Sequence, residues 1–140
     1  MDVLVRSGEG MQQDVEIGRF QIKSDEPFDK GGTGTGPDPY DLLSAALGAC
    51  TSMTLRSYAR TKGWPLQSVE VRLHHEKIYA IDCAECETRE GRIDKIVREI
   101  TLEGPLDAAQ QQRLLEIADK CPVHRTLQSE VHVVTRLSTP

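Results

Sequence analysis

Four cysteines in a chain of 140 residues fall where their neighbours bear on thiol chemistry. Cys50 lies in the small, apolar run Leu42-Leu43-Ser44-Ala45-Ala46-Leu47-Gly48-Ala49-Cys50. Cys121 ends a helical pattern and opens Cys121-Pro122-Val123-His124-Arg125. The thiolate is the nucleophile, so a reactive cysteine needs a nearby cation or helix N-terminus to lower a pKa of about 8.5. Cys50 is mid-helix and gains nothing from its own helix end. On local grounds it reads first as a small buried hydrophobe. Cys121 stands at a corner where Pro122 cannot continue a regular helix and His124 and Arg125 add donors. Such a thiol can move by local unwinding, as the second member of a redox pair must, although a cysteine packed under the helix end explains it equally well.

Cys83-Ala84-Glu85-Cys86 is a single CxxC, short of the paired motifs of a zinc ribbon. His74 and His75 lie upstream and would complete a Cys2His2 set. Strand alternation sends them to opposite faces, so at most one ligates easily. An exposed dithiol or a locally bridged loop is the simpler account. Glu99, Glu103, Glu116 and Asp119 read as a solvated face. No Ser-His-Asp signature, GxSxG elbow or HExxH motif supports a hydrolase.

The elements that must position these groups are legible in outline. Weak period-two alternation at Val3 and Val5, Val15 and Ile17, and Phe20 and Ile22, punctuated by glycines, predicts two or three antiparallel strands. Residues 25 to 39 form a Gly-rich loop without the Lys-Ser/Thr of a P-loop or the GxGxxG spacing, so it reads as a loop that bends and packs closely. Asp38 is a natural N-cap and Pro39 a first helical residue. From there to about Lys62 apolar residues recur at three- and four-residue steps, around most of the girth, which predicts a buried helix. Gly63 stops it. Residues 66 to 80 and Ile93 to Leu102 predict two long strands, the second less regular. Pro105 to Lys120 is a helix capped at Asp107. After Cys121-Pro122 comes a short helical turn, and Val131 to Leu137 predicts a closing strand. The order of elements is α+β, in one domain spanning 1–140.

Net charge is −5 and aromatic content 4%. No basic stripe interleaved with aromatics points to nucleic acid. No signal peptide and no apolar run of membrane-spanning length is evident, so the chain is expected to be cytoplasmic and free of membrane partners. In that compartment cysteines serve catalysis, redox chemistry or metals more often than structural bridges.

The stretch Gly36-Pro37-Asp38-Pro39-Tyr40-Asp41-Leu42 through Cys50-Thr51 resembles the central-helix signature of the OsmC/Ohr superfamily, and Cys121-Pro122-Val123-His124-Arg125-Thr126-Leu127 resembles its second cysteine motif. Asp82-Cys83-Ala84-Glu85-Cys86 and Ile100 to Leu106 are similar to an OsmC-like subgroup also found fused to α/β-hydrolase domains. The resemblance implies antiparallel sheets around two long central helices in an intertwined homodimer, with sites at the subunit interface. It implies that Cys50 is peroxidatic and Cys121 resolving, that organic hydroperoxides are the substrate, and that a dithiol reductant restores the pair. No cofactor or metal is implied. The family's peroxidases place a Glu ten residues before the first cysteine, paired with an Arg from the N-terminal sheet. Here that position is Tyr40, so the carboxylate is expected from Asp41; Arg6 and Arg19 lie in the strand region without matching the motif. The alternative is a small-molecule or metal-binding module of the same fold, with the CxxC and a histidine holding an ion.

Overall fold

The computed structural model describes residues 1–138. Its elements are β1 (Val3–Ser7), β2 (Gln13–Ile17), β3 (Phe20–Ser24), α1 (Pro39–Lys62), β4 (Ser68–Tyr79), β5 (Arg92–Glu103), α2 (Ala108–Ala118) and α3 (Pro122–Leu127), with short 3₁₀ turns at Phe28–Lys30 and Ala80–Asp82. This is the α+β order expected. Contacts divide the chain into two compact units, residues 1–45 with 74–97 and residues 46–73 with 98–140.

In the first unit β1, β2 and β3 form an antiparallel sheet in which Val5 faces Val15 and Val15 faces Ile22. The β2–β3 hairpin turns on Gly18-Arg19, with Gly18 at φ 59°; a two-residue turn of the primed type needs a left-handed residue there, and glycine adopts it without strain. The Gly-rich loop then wraps one carboxylate. Asp25 is 2% exposed and accepts hydrogen bonds from the Glu26, Thr33 and Thr35 N–H groups and from the Thr33 and Thr35 hydroxyls, at 2.7–3.2 Å. Gly32 packs so closely that a Cβ there would collide with the Glu26 carbonyl and sit 2.7 Å from the Asp25 carboxylate. The loop thus bends and packs as its composition suggested.

The Thr35 and Thr33 hydroxyls hold the Asp25 carboxyl far below the usual carboxylate range, against the opposing effect of burial. A depressed carboxyl stabilises the fold fully above the unfolded-state pKa near 4, and that stabilisation fades as pH falls toward the folded value. Asp25→Asn is therefore expected to destabilise the chain at neutral pH, with the gap between variant and parent closing below about pH 4. Urea unfolding across pH measures it; a gap that does not vary with pH rules the account out.

The second unit holds the core. Along α1, Leu47, Thr51, Leu55 and Ala59 recur at four-residue steps and are buried, one stripe of the helix. Leu55, Ala59, Leu114, Ile117 and Ala118 form a cluster against which Tyr58, Trp64, Leu66, Val69, Ile100, Leu102 and Leu106 pack. Gly48 allows close approach of β4: a Cβ would lie 2.7 Å from Leu73 Cδ1. Asp107 caps α2 in a full capping box with Gln110. The expectation of a helix buried around most of its girth is corrected: Ala46, Ala49 and Met53 are exposed, because α2 and the strands cover only one stripe.

β4 and β5 pair in a separate two-stranded sheet, bounded by bonds from Gln67 N–H to the Glu103 carbonyl and from Ala80 N–H to the Gly91 carbonyl, both 2.8 Å. In each strand the inward alternation slips by one residue, at Glu76-Lys77 and at Asp94-Lys95. The irregularity anticipated for the second strand is thus shared by both.

The closing strand expected at 131–137 is also corrected. These residues are outside any sheet and exposed, Val133 and Leu137 by 79% and 94%. A strand requires an edge to pair with, and among the described residues none of this chain's edges meets it.

Candidate thiol site

The site is assembled wholly within the second unit. α1 carries Cys50 and Thr51 on successive positions, one half-buried and one fully buried. α2 ends at Ala118, and the chain turns through Asp119 and Lys120 to Cys121, which is the N-cap of α3 at φ −60°, ψ 135°. Pro122 takes the first helical position, where its missing N–H costs nothing. The cap acceptor is sulfur: His124 N–H donates to Cys121 Sγ at 3.4 Å. Val123 N–H donates to Cys50 Sγ at 3.5 Å. Consecutive amides at the start of α3 thus point at the two sulfurs.

Cys121 is completely buried. Burial pushes its thiol up, but hydrogen bonds from the Cys50 thiol, the His124 N–H, the Thr51 hydroxyl and the Val123 N–H outweigh burial and leave it below the ordinary thiol value. The Thr51 hydroxyl donates to the Leu47 carbonyl at 2.7 Å and lies 3.9 Å from Cys121 Sγ. A hydroxyl proton rotates freely, so it can turn to the sulfur when that sulfur carries charge.

Behind these groups stands Arg98, its side chain 12% exposed. One guanidinium nitrogen donates to Thr51 Oγ1 at 3.0 Å and to the Ala118 carbonyl at 3.3 Å. The other donates to Asp119 at 2.9 Å and meets His124 Nδ1 at 3.3 Å. Since the guanidinium has no lone pair to offer, His124 Nδ1 accepts and its proton resides on Nε2. Arg98 therefore ties α1, the end of α2 and α3 into one arrangement and brings a fixed positive charge to it. Sequence reasoning missed this residue. Its signal was phase: Arg98 alternates with Ile96, Ile100 and Leu102, the inward positions of β5, and an arginine on an apolar face must have partners there.

Charged hydrogen bonds of this kind are worth about 1.5–3 kcal/mol, equivalent to roughly 10- to 100-fold in rate. Arg98→Met is expected to slow formation of a Cys50–Cys121 bridge under mild oxidant by about that factor, with partial recovery in Arg98→Lys. Timed alkylation of the remaining thiols measures it. A variant that lowers Tm but bridges at the parental rate leaves Arg98 a purely structural role.

Of the residues singled out from sequence, Cys50 and Cys121 are brought together. Asp41 is placed in the cap of α1: its carboxylate accepts from Asp38 N–H at 3.0 Å while Asp41 N–H donates to Asp38 at 2.8 Å. The carboxylate that meets the site's arginine is that of Asp119. Arg6 pairs with Glu16 at 3.2 Å and Arg19 lies over the Phe20 ring at 5.0 Å, both in the first unit. Tyr40 stacks on His75 with ring centroids 4.4 Å apart, and His75 Nε2 meets Asp94 at 2.9 Å. Hydrogen bonds from His75 and Lys77 hold the Asp94 carboxyl below its usual value. His75 is thereby committed away from the CxxC, and Cys83 and Cys86 are joined in a disulfide. Among the described residues no three His, Cys, Asp or Glu side chains converge as a metal site.

A cavity of about 870 Å³ opens beside Cys50. Its walls include Ala46, Ala49, Met53, Ile117 and Pro122, with Arg113 and Lys120 supplying charge. The arrangement offers a half-buried sulfur facing an apolar cavity, a second sulfur behind it in a fixed donor shell, and a partly buried guanidinium.

Fold and motif agree on the class. A family model for OsmC-like proteins matches residues 32–136, and the chain belongs to the OsmC-like family. Solved structures share its fold: an organic hydroperoxide resistance protein OsmC from Legionella pneumophila (20% identity, 91% of this chain and 90% of that chain, TM-score 0.67), the organic hydroperoxide resistance protein OhrB of Bacillus subtilis (18% identity, 91% and 89%, TM-score 0.64), and an OsmC-like protein from Mycoplasma pneumoniae (20% identity, 91% and 86%, TM-score 0.67). No curated protein matches the chain. Among the described residues no helix is long and apolar enough to cross a membrane.

Proposed function

We propose that this chain, a single domain, is a thiol-dependent reductase of organic hydroperoxides that works through Cys50 and Cys121. The observation that carries the reading is that successive amides at the start of α3, those of Val123 and His124, donate to the sulfurs of Cys50 and Cys121. Burial supports the division of roles. Cys121 is fully enclosed, whereas Cys50 lines the cavity, so a substrate reaches Cys50 first.

The Cys50 thiolate attacks the distal peroxide oxygen. The O–O bond breaks, the alkoxide leaves as alcohol after taking a proton, and Cys50 becomes a sulfenic acid. The Cys121 thiolate then attacks the Cys50 sulfur and water departs, leaving a disulfide. An external dithiol returns two electrons and two protons. The apolar wall of the cavity receives the organic part of the substrate, and Arg98, through Thr51 and His124, keeps the second thiol in register.

We place this site in a homodimer. Two surfaces support that: the exposed apolar stripe of α1 at Ala46, Ala49 and Met53, and the unpaired segment 131–137 with its alternating valines. An intertwined partner would pair with the segment and close over the open side of the cavity that the stripe lines beside Cys50, and light scattering should return twice the chain mass of 15.6 kDa.

Peptide mapping after one equivalent of cumene hydroperoxide tests the chemistry. A Cys50–Cys121 bridge with release of one equivalent of alcohol is the expected result. Cys50 recovered as an unmodified thiol refutes the proposal.

A further inference from the structure

Cys83 and Cys86 take no part in the chemistry above, yet they are bridged in the first unit, in the turn that joins β4 to β5. A disulfide that serves stability does so mainly by restraining the unfolded chain, and that restraint grows with the length of the loop closed. This bridge spans a sequence separation of 3, close to the shortest loop possible, so it restrains the unfolded chain less than a long-range bridge would.

Nor is it needed to shape the turn. Cys83 N–H donates to the Ala80 carbonyl at 3.1 Å and Cys86 N–H to the Cys83 carbonyl at 3.3 Å. Arg89 reaches back to the Cys83 and Ala84 carbonyls at 3.2 and 3.3 Å. These bonds hold the two cysteines facing each other whether or not the sulfurs are joined. Opening and closing the bridge therefore demands little rearrangement.

Access is also provided. Both cysteines are only half-buried and the intervening Ala84 and Glu85 are exposed. Ile81 and Tyr79, beside them, are 77% and 57% exposed, an apolar margin against which a thiol-bearing molecule can settle.

We propose that Cys83 and Cys86 are a second redox site, a dithiol/disulfide couple that exchanges electrons with an external thiol reductant. A thiolate of the reductant attacks one sulfur, the Cys83–Cys86 bond breaks, and the other cysteine leaves as thiolate and takes a proton. A second reductant thiol attacks the reductant's own sulfur in the mixed disulfide and frees the remaining cysteine. The cysteines gain two electrons and two protons, and the reductant leaves as its disulfide. The couple belongs to the first unit, whereas Cys50 and Cys121 belong to the second.

The test uses the full-length chain carrying Cys50→Ser and Cys121→Ser, so its outcome does not depend on whether the first pair reduces hydroperoxides. The protein is equilibrated with glutathione buffers and native-state alkylation of Cys83 and Cys86 is read by mass spectrometry. The expected result is a reversible two-electron transition, the alkylated fraction falling from nine-tenths to one-tenth over a roughly hundredfold change in the squared thiol to disulfide ratio, with circular dichroism unchanged. A pair that stays bridged in excess reduced glutathione is a structural disulfide and overturns the proposal, as does a pair that stays reduced in oxidised glutathione alone. A companion variant, Cys83→Ser with Cys86→Ser, is expected to keep its Tm within about 5 °C of the parent; a larger fall also assigns the bridge to stability.

Discussion

Cys50→Ser is expected to lower hydroperoxide consumption in the presence of a dithiol by about a thousandfold or more, because a serine hydroxyl at neutral pH is a far weaker nucleophile than a thiolate. Cys121→Ser is expected to behave differently. Cys50 is still reachable from the cavity, so one equivalent of alcohol appears in a burst, after which the sulfenic acid waits for an outside thiol. The steady-state rate then depends on the concentration of that thiol. Ferrous-xylenol-orange assay of residual hydroperoxide, with and without dithiol, separates the two variants. If Cys50→Ser retains a tenth of parental turnover, Cys50 is not the residue that meets the oxidant. If Cys121→Ser turns over as the parent does, the second thiol is a packing residue.

The largest stability effect is expected at Leu55. It is completely buried at the centre of the cluster formed with Ala59, Leu114, Ile117 and Ala118. Truncation removes transfer free energy and leaves a cavity that helix-to-helix packing cannot close, so Leu55→Ala is expected to cost about 2–5 kcal/mol. For a chain of this size that is a fall in Tm of roughly 8–20 °C. Met53, two residues earlier on the same helix, is 71% exposed, and Met53→Ala should stay within about 0.5 kcal/mol in the isolated chain. Equal losses at the two positions would mean that the apolar stripe of α1 is covered in solution. Concentration-dependent unfolding of Met53→Ala tells that case apart, since a subunit contact makes Tm rise with protein concentration.

How much of this was readable from residue types follows from what each signal depends on. Asp38-Pro39 and Asp107 with Gln110 are local signals, and the starts of α1 and α2 lie where they point. The two hairpins of the first sheet follow from alternation and Gly18 for the same reason. The pair Cys50 and Cys121 came from motif order, and no local rule could say that α3 would aim successive amides at both sulfurs. The acid was sought at Asp41 because the resemblance placed a carboxylate beside that position. Asp41 lies three positions after Asp38, which is capping-box spacing, and the cap is where its carboxylate lies. Arg98 was hidden because a strand's alternation was read for its apolar members only. The closing strand failed for another reason: a period of two marks residues fit for pairing but says nothing of which chain supplies the edge.

The choice of sulfur as the cap of α3 has a consequence of its own. A thiolate at Cys121 is a strong acceptor for the His124 amide; a sulfur bound to another sulfur is a feeble one. Six residues make a helix too short to persist without help at its ends. Joining Cys50 to Cys121 therefore withdraws the fastening from the segment that follows, and reduction restores it. If Cys50 and Cys121 are the proposed redox pair, the start of α3 differs between the reduced and the oxidised molecule, and a reductant that touches it can distinguish the two.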